Sequence, residues 1–184
     1  SSSDSVIIAE DIGEYGTVTL TNNDWLTVTT TRSYANMVVV ASPEFDASTY
    51  NTNRNPRVFD KTANTFQIKV DNYTNGFSGS TVVDYIVMEA GTWTLDDGAS
   101  GIQVIAGTEE SVTDVRVDGN SGNAALGTEI PLFPIFGAPP AALATVSSDN
   151  DSTWVATHID GGTNRDVEVT ASLLRVALSR SLDT

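Results

Sequence analysis

The sequence predicts an all-β protein, an antiparallel β-sandwich of one unit or of two tandem related units. Three observations lead there. Thr, Val, Ser, Asn, Asp and Gly dominate the 184 residues. Apolar and polar side chains alternate over short segments, and turn residues recur about every ten positions. Sustained helical periodicity is absent. With 40% hydrophobic and 18% charged residues, the composition is globular and the length is ample for a core.

The elements follow in order. Residues 1–12 form an N-terminal arm or first strand, with Val6, Ile7, Ile8 and Ala9 as its apolar stretch. That stretch either opens the chain's own sandwich or completes a neighbour's sheet by strand addition. Residues 13–97 make the first sandwich unit. Within it Thr17 to Thr21 alternates cleanly, and Asn22-Asn23-Asp24 makes a turn. Leu26 and Val28 share a face of the next strand. Residues 36–41 are apolar on both faces, the mark of a central strand. Phe66, Ile68 and Val70 face a core, while Gln67 and Lys69 face water. Residues 82–88 are the most hydrophobic strand, and Asp96-Asp97-Gly98 is a turn signal after Trp93.

Residues 98–184 make a second β unit, which reads as a degenerate repeat or as chance alternation. Val112, Val115 and Val117 suggest a strand before a loop at residues 118–123. Pro131 and Pro134 make residues 130–136 an edge strand or extended segment. Residues 154–159 and 166–171 read as a hairpin around Gly161-Gly162. Residues 173–178 form a last strand or a short helix.

Acidic residues outnumber basic ones 24 to 9, a net charge of -15. Such a chain lacks the cations to neutralise a run of phosphates, which argues against unaided nucleic-acid binding. The absence of cysteine excludes disulfides, a thiol nucleophile and sulfur-ligated metal. No apolar run approaches a membrane span, and Ser1-Ser2-Ser3-Asp4 does not read as a signal peptide. Lys61 and Lys69 are the only lysines. An acidic, lysine-poor surface fits a halophilic or an ordinary secreted protein, working outside the cell, on a cell surface or on a virion surface.

Two stretches share a design: a buried strand, a polar or acidic loop, then a hairpin. They are residues 38–70 and residues 143–169. On Asn36 to Pro43, Arg57 to Val70 and Val83-Asp84-Tyr85-Ile86-Val87-Met88-Glu89-Ala90-Gly91, the chain resembles the H-type lectin domain over residues 24–95. The resemblance implies a small antiparallel sandwich, trimeric assembly and galactose-type sugar binding. Asn64-Thr65 departs from the family's glycine, and its aromatic-histidine pair has no counterpart near residue 85. Of the polar positions only Arg57 carries over, with His158 in its place in the second half.

Catalytic chemistry is not expected. His158 is the only imidazole, and no Gly-x-Ser-x-Gly elbow accompanies it. Asp84 and Glu89 sit in an apolar strand but alternate to opposite faces. Carboxylates so placed more often bind backbone amides or an arginine than act as a glycosidase pair. Calcium is the cofactor considered, through Asp149, Asn150 and Asp151 and through Asp118 and Asn120, although neither set fits the twelve-residue calcium loop. Glycan or partner contacts are assigned to Tyr50, Arg54, Arg57, Trp154 and His158. Trp25, Trp93 and Tyr73 add aromatic surface, with core packing as the alternative. The function expected is a non-enzymatic structural subunit of a filament, surface layer or virion that partners with itself. The alternative is a lectin-like adhesion module for cell-surface glycans, and a hydrolase accessory domain also fits.

Overall fold

The computed structural model describes residues 12–44, 54–72, 79–95, 102–109, 128–133, 136–148, 155–159 and 169–180. Among these residues the regular elements are all β-strands. In chain order they are β1 (Gly13–Leu20), β2 (Leu26–Thr29), β3 (Met37–Pro43), β4 (Arg54–Phe59), β5 (Thr65–Asn72), β6 (Thr81–Glu89), β7 (Gly91–Leu95), β8 (Ile102–Ala106), β9 (Thr128–Pro131), β10 (Val155–Ile159) and β11 (Leu173–Arg180). They form antiparallel sheets of order β1-β6-β3, β2-β5-β4 and β10-β11-β9, with β7-β8 a two-stranded ribbon.

Alternation decides the first two sheets. Val83 and Val87 of β6 and Phe66, Ile68 and Val70 of β5 are fully buried, with Leu20, Val28, Tyr34, Met37, Val39, Ala41 and Val58 completing one hydrophobic cluster. The cluster draws on the β1-β6-β3 and β2-β5-β4 sheets. The Tyr85 ring meets Phe66 edge-on at 5.3 Å, an attractive arrangement for two aromatic quadrupoles. The most hydrophobic strand, β6, is the central one of its sheet, paired to β1 and β3.

β3 departs from expectation. It is an edge strand, although its sequence reads as central. Residues 144–148 cover its edge: the Ala41 amide donates to Thr145 Oγ1 at 2.8 Å, and that hydroxyl donates to the Ala41 carbonyl at 3.0 Å. The same segment runs parallel to β4, where the Val58 amide donates to the Val146 carbonyl at 2.9 Å. A piece of the second half therefore closes the seam between β3 and β4. That closure supplies the cover for which an edge strand otherwise uses charge or proline.

The second half also differs in its pairing. The described partner of β10 is β11, in register from Val155↔Arg180 to Ile159↔Val176, and Val169 bridges Leu174. Residues 173–180 are thus a strand. β11 is the longer partner and reaches both β10 and β9, and residues 160–168 of the expected hairpin lie outside the described residues. β9, carrying Pro131, pairs only with β11 among the described residues, in keeping with an edge. The strand expected at residues 112–117 also lies outside them.

Candidate functional site

One of the residues assigned to surface contacts, Arg57, is internal. Arg57 lies mid-strand in β4 opposite Lys69, yet it is only 1% exposed. Its Nη1 contacts Asp71 Oδ2 at 2.8 Å, and Nε and Nη2 donate to the Ser148 carbonyl at 3.2 and 2.8 Å. Asp71 also meets Lys69 Nζ at 3.3 Å. A buried guanidinium is tolerated only when paired in this way. Arg54 reaches across the end of the cluster to donate to the Ser80 carbonyl at 3.0 Å and to the Thr81 hydroxyl. Arg57 fastens the fold, a correction to its expected surface role, whereas Arg54 is only half-buried. His158 lies in β10 opposite Ala177. Tyr50, Trp154, Val6, Ile7, Ile8 and Ala9 lie outside the described residues. So do the expected calcium ligands Asp149, Asn150, Asp151, Asp118 and Asn120.

The carboxylates of the first sheet are engaged locally. Glu89 accepts the Ala35 and Asn36 amides at 2.8 and 2.7 Å. Glu14 accepts the Thr31 amide and hydroxyl and the Tyr34 hydroxyl, the last at 3.2 Å. Partial burial raises the Glu14 carboxyl, but the bonds from Thr31 and Tyr34 outweigh it and hold the pKa below its ordinary value. Burial, the Glu14 charge and the Glu14 hydrogen bond together push Tyr34 up to about 12. Asp84 is exposed and accepts the Thr17 hydroxyl at 2.7 Å. Trp93 Nε1 donates to the Glu89 carbonyl at 3.1 Å, which ties that ring to the fold. Among the described residues no group of three Asp, Glu or His side chains gathers as a metal site.

Among the described residues, exposed apolar side chains lie on the faces turned away from the cluster as well as in the second half. On β1-β6-β3 the register aligns Tyr15, Ile86 and Val40 in one row, with Met88 beside them and Asp84 in the next row. Tyr15 is 88% exposed and Ile86 44%. On β2-β5-β4 the Trp25 and Phe59 rings lie 5.6 Å apart, Lys69 Nζ stands 4.6 Å from the Trp25 ring, and Phe59 is 40% exposed. A cavity of about 160 Å³ lies along the seam, lined by Pro43, Asn55, Pro56, Thr145 and Thr157 among others. That is smaller than the roughly 300 Å³ at which small-molecule pockets begin.

Compared with family models, characterised proteins and solved structures, the chain matches none. Tyr15 carries no signal in the sequence, because Gly13 and Gly16 interrupt the alternation of β1. Phe59 carries one, its position two residues beyond Arg57 on the same strand face.

Proposed function

We propose that this chain is a non-enzymatic structural subunit that assembles with copies of itself, outside the cell or on a cell or virion surface. The two three-stranded sheets sharing one cluster support a two-layer sandwich, the architecture implied by the resemblance to H-type lectins. The observation that carries the reading is the Tyr15–Ile86–Val40 row. An aromatic ring 88% exposed beside an exposed isoleucine, in the middle of a sheet face, is the surface a packing partner covers. Glycan contact is the weaker reading, since Arg57 is buried and committed to Asp71 and the Ser148 carbonyl. Enzymatic action draws no support from Glu14, Asp84 and Glu89, each occupied with holding a loop or a neighbouring strand.

Sedimentation velocity of the Tyr15→Ser/Ile86→Ser double variant against the intact chain tests the proposal. Both side chains are exposed, so the variant folds and sediments as a single chain under conditions where the intact chain is larger. An unchanged mass distribution would remove this face from the assembly.

A further inference from the structure

An edge strand exposes unpaired amides and carbonyls, and natural proteins cover, shorten or charge such edges. Among the described residues β3 and β4 are covered by residues 144–148. β2, β7, β8, β9 and β10 have four or five residues each. β1 is the exception. It is eight residues long, in unbroken register with β6, and among the described residues no second strand lies beside it. It contains no proline and no basic residue, and its one charge, Glu14, is tied to Thr31 and Tyr34.

The phase of the hydrogen bonds fixes which groups face the open side. The Glu89 amide donates to the Ile12 carbonyl at 3.0 Å, one residue beyond the Gly13↔Met88 pair. Ile12, Glu14, Gly16, Val18 and Leu20 therefore turn their amides and carbonyls toward β6. Gly13, Tyr15, Thr17 and Thr19 turn theirs away from it. The side chains of Tyr15, Thr17 and Thr19 are exposed as well.

We propose that β1 pairs antiparallel with β1 of a second copy, about a two-fold axis at Gly16, so that two β1-β6-β3 sheets become one continuous sheet. This rests on the assembly reading and names its contact. Gly13 then lies opposite Thr19 of the second copy and Tyr15 opposite its Thr17, each pair exchanging two bonds. A shift of one residue would turn outer side chains to the inner face. A shift of two would carry Gly13 or Thr19 past the end of the opposing strand. In this register Glu14 faces Val18 of the second copy, so like charges are not opposed. Gly16 meets itself on the axis, its inner side already filled by the Tyr85 phenol. On the outer face Tyr15 lies against Thr17 of the second copy and diagonal to its Tyr15, within the reach of cross-strand side chains. That covers a ring 88% exposed in the single chain. The backbone bonds replace bonds to water and contribute little net, so the tyrosines decide whether the pair holds. Each copy uses this edge once, so the contact closes as a pair, which becomes the unit of any larger assembly.

The test removes one outward amide. Thr17→Pro deletes an N–H that β6 does not use, at an edge position where proline is accepted. Thr17→Val is the control: it loses the same hydroxyl bond to Asp84 but keeps the amide. Sedimentation velocity over a range of concentrations, with circular dichroism for the fold, is expected to show the intact chain and Thr17→Val associating alike. Thr17→Pro is expected to raise the dissociation constant at least about tenfold, since symmetry removes two bonds per pair. Thr19→Pro removes the next outward amide and serves if Thr17→Pro misfolds. Amide exchange on the intact chain reads the contact directly. Tyr15, Thr17 and Thr19 should gain protection as concentration rises, while Glu14, Gly16 and Val18 are protected throughout. Equal association of Thr17→Pro and the intact chain would overturn the edge contact and leave the assembly reading standing. An intact chain that stays single at every concentration would defeat both. Protection of Tyr15 and Thr17 that persists at dilution would show that the chain covers this edge itself. Protection lost in Ile7→Asp/Ile8→Asp would assign the edge to residues 6–9, and either result overturns the pairing.

Discussion

Glu14 holds a loop by accepting three donors from Thr31 and Tyr34, and its energetics follow from its charge. Hydrogen bonds to a charged acceptor contribute about 1.5–3 kcal/mol each before solvent exposure discounts them. Glu14→Gln is therefore expected to cost about 1–2 kcal/mol at neutral pH, read from urea melts. Because the folded pKa lies below the ordinary 4.5, the contribution is present above that value and is lost as pH falls through the lower folded one. The acid side of the stability profile should flatten in the variant. Tyr34 works in the opposite direction. Its pKa is raised from 10 to about 12, so its contribution is complete below 10 and is lost as pH rises through 12. An ultraviolet titration should show Tyr34 and Tyr85 ionising late, and Glu14→Gln should bring Tyr34 only part of the way back, because burial, the larger cause, remains. Arg57→Ala would leave Asp71 with Lys69 and the Ser148 carbonyl without its guanidinium. A loss of about 3 kcal/mol is expected by thermal or urea unfolding.

At the scale of elements, what could be read from sequence was what alternation encodes. β5 and β6 were visible because Phe66, Ile68 and Val70, and Val83 and Val87, recur every second residue and are buried. The first half of β1 was invisible because glycine has no β signal, and the reason for Gly16 is tertiary. A Cβ there would fall on the Tyr85 phenol. Gly16→Ala should displace that ring and cost about 1–3 kcal/mol, seen as a lowered melting temperature. β3 was misread as central because its cover comes from Thr145, 104 residues away, a pairing that local pattern does not contain. Thr145→Val removes both bonds to Ala41 while keeping the shape. It is expected to cost about 1–2 kcal/mol, with faster amide exchange at Ala41. The candidate faces were harder still to read. Arg57 looked like a surface contact until Asp71 and Ser148 were found around it, whereas Tyr15 had no motif to announce it.

At the scale of the molecule, a net charge of -15 opposes association of like copies, while the apolar row on β1-β6-β3 favours it. Salt decides between them. Screening reaches about 10 Å at 0.1 M and about 3 Å at 1 M, so concentrated salt suppresses the long-range repulsion between whole molecules. The apolar contact does not weaken with it. Assembly should accordingly strengthen from low to high salt, unlike a complex held mainly by ion pairs. The most direct measurement is light scattering on the intact chain over a range of protein concentrations at low and high salt, with negative-stain imaging of the same samples. Self-assembly predicts particles larger than the 19.5 kDa chain, growing with concentration and salt and showing a regular repeat. A mass of one chain under every condition would contradict it.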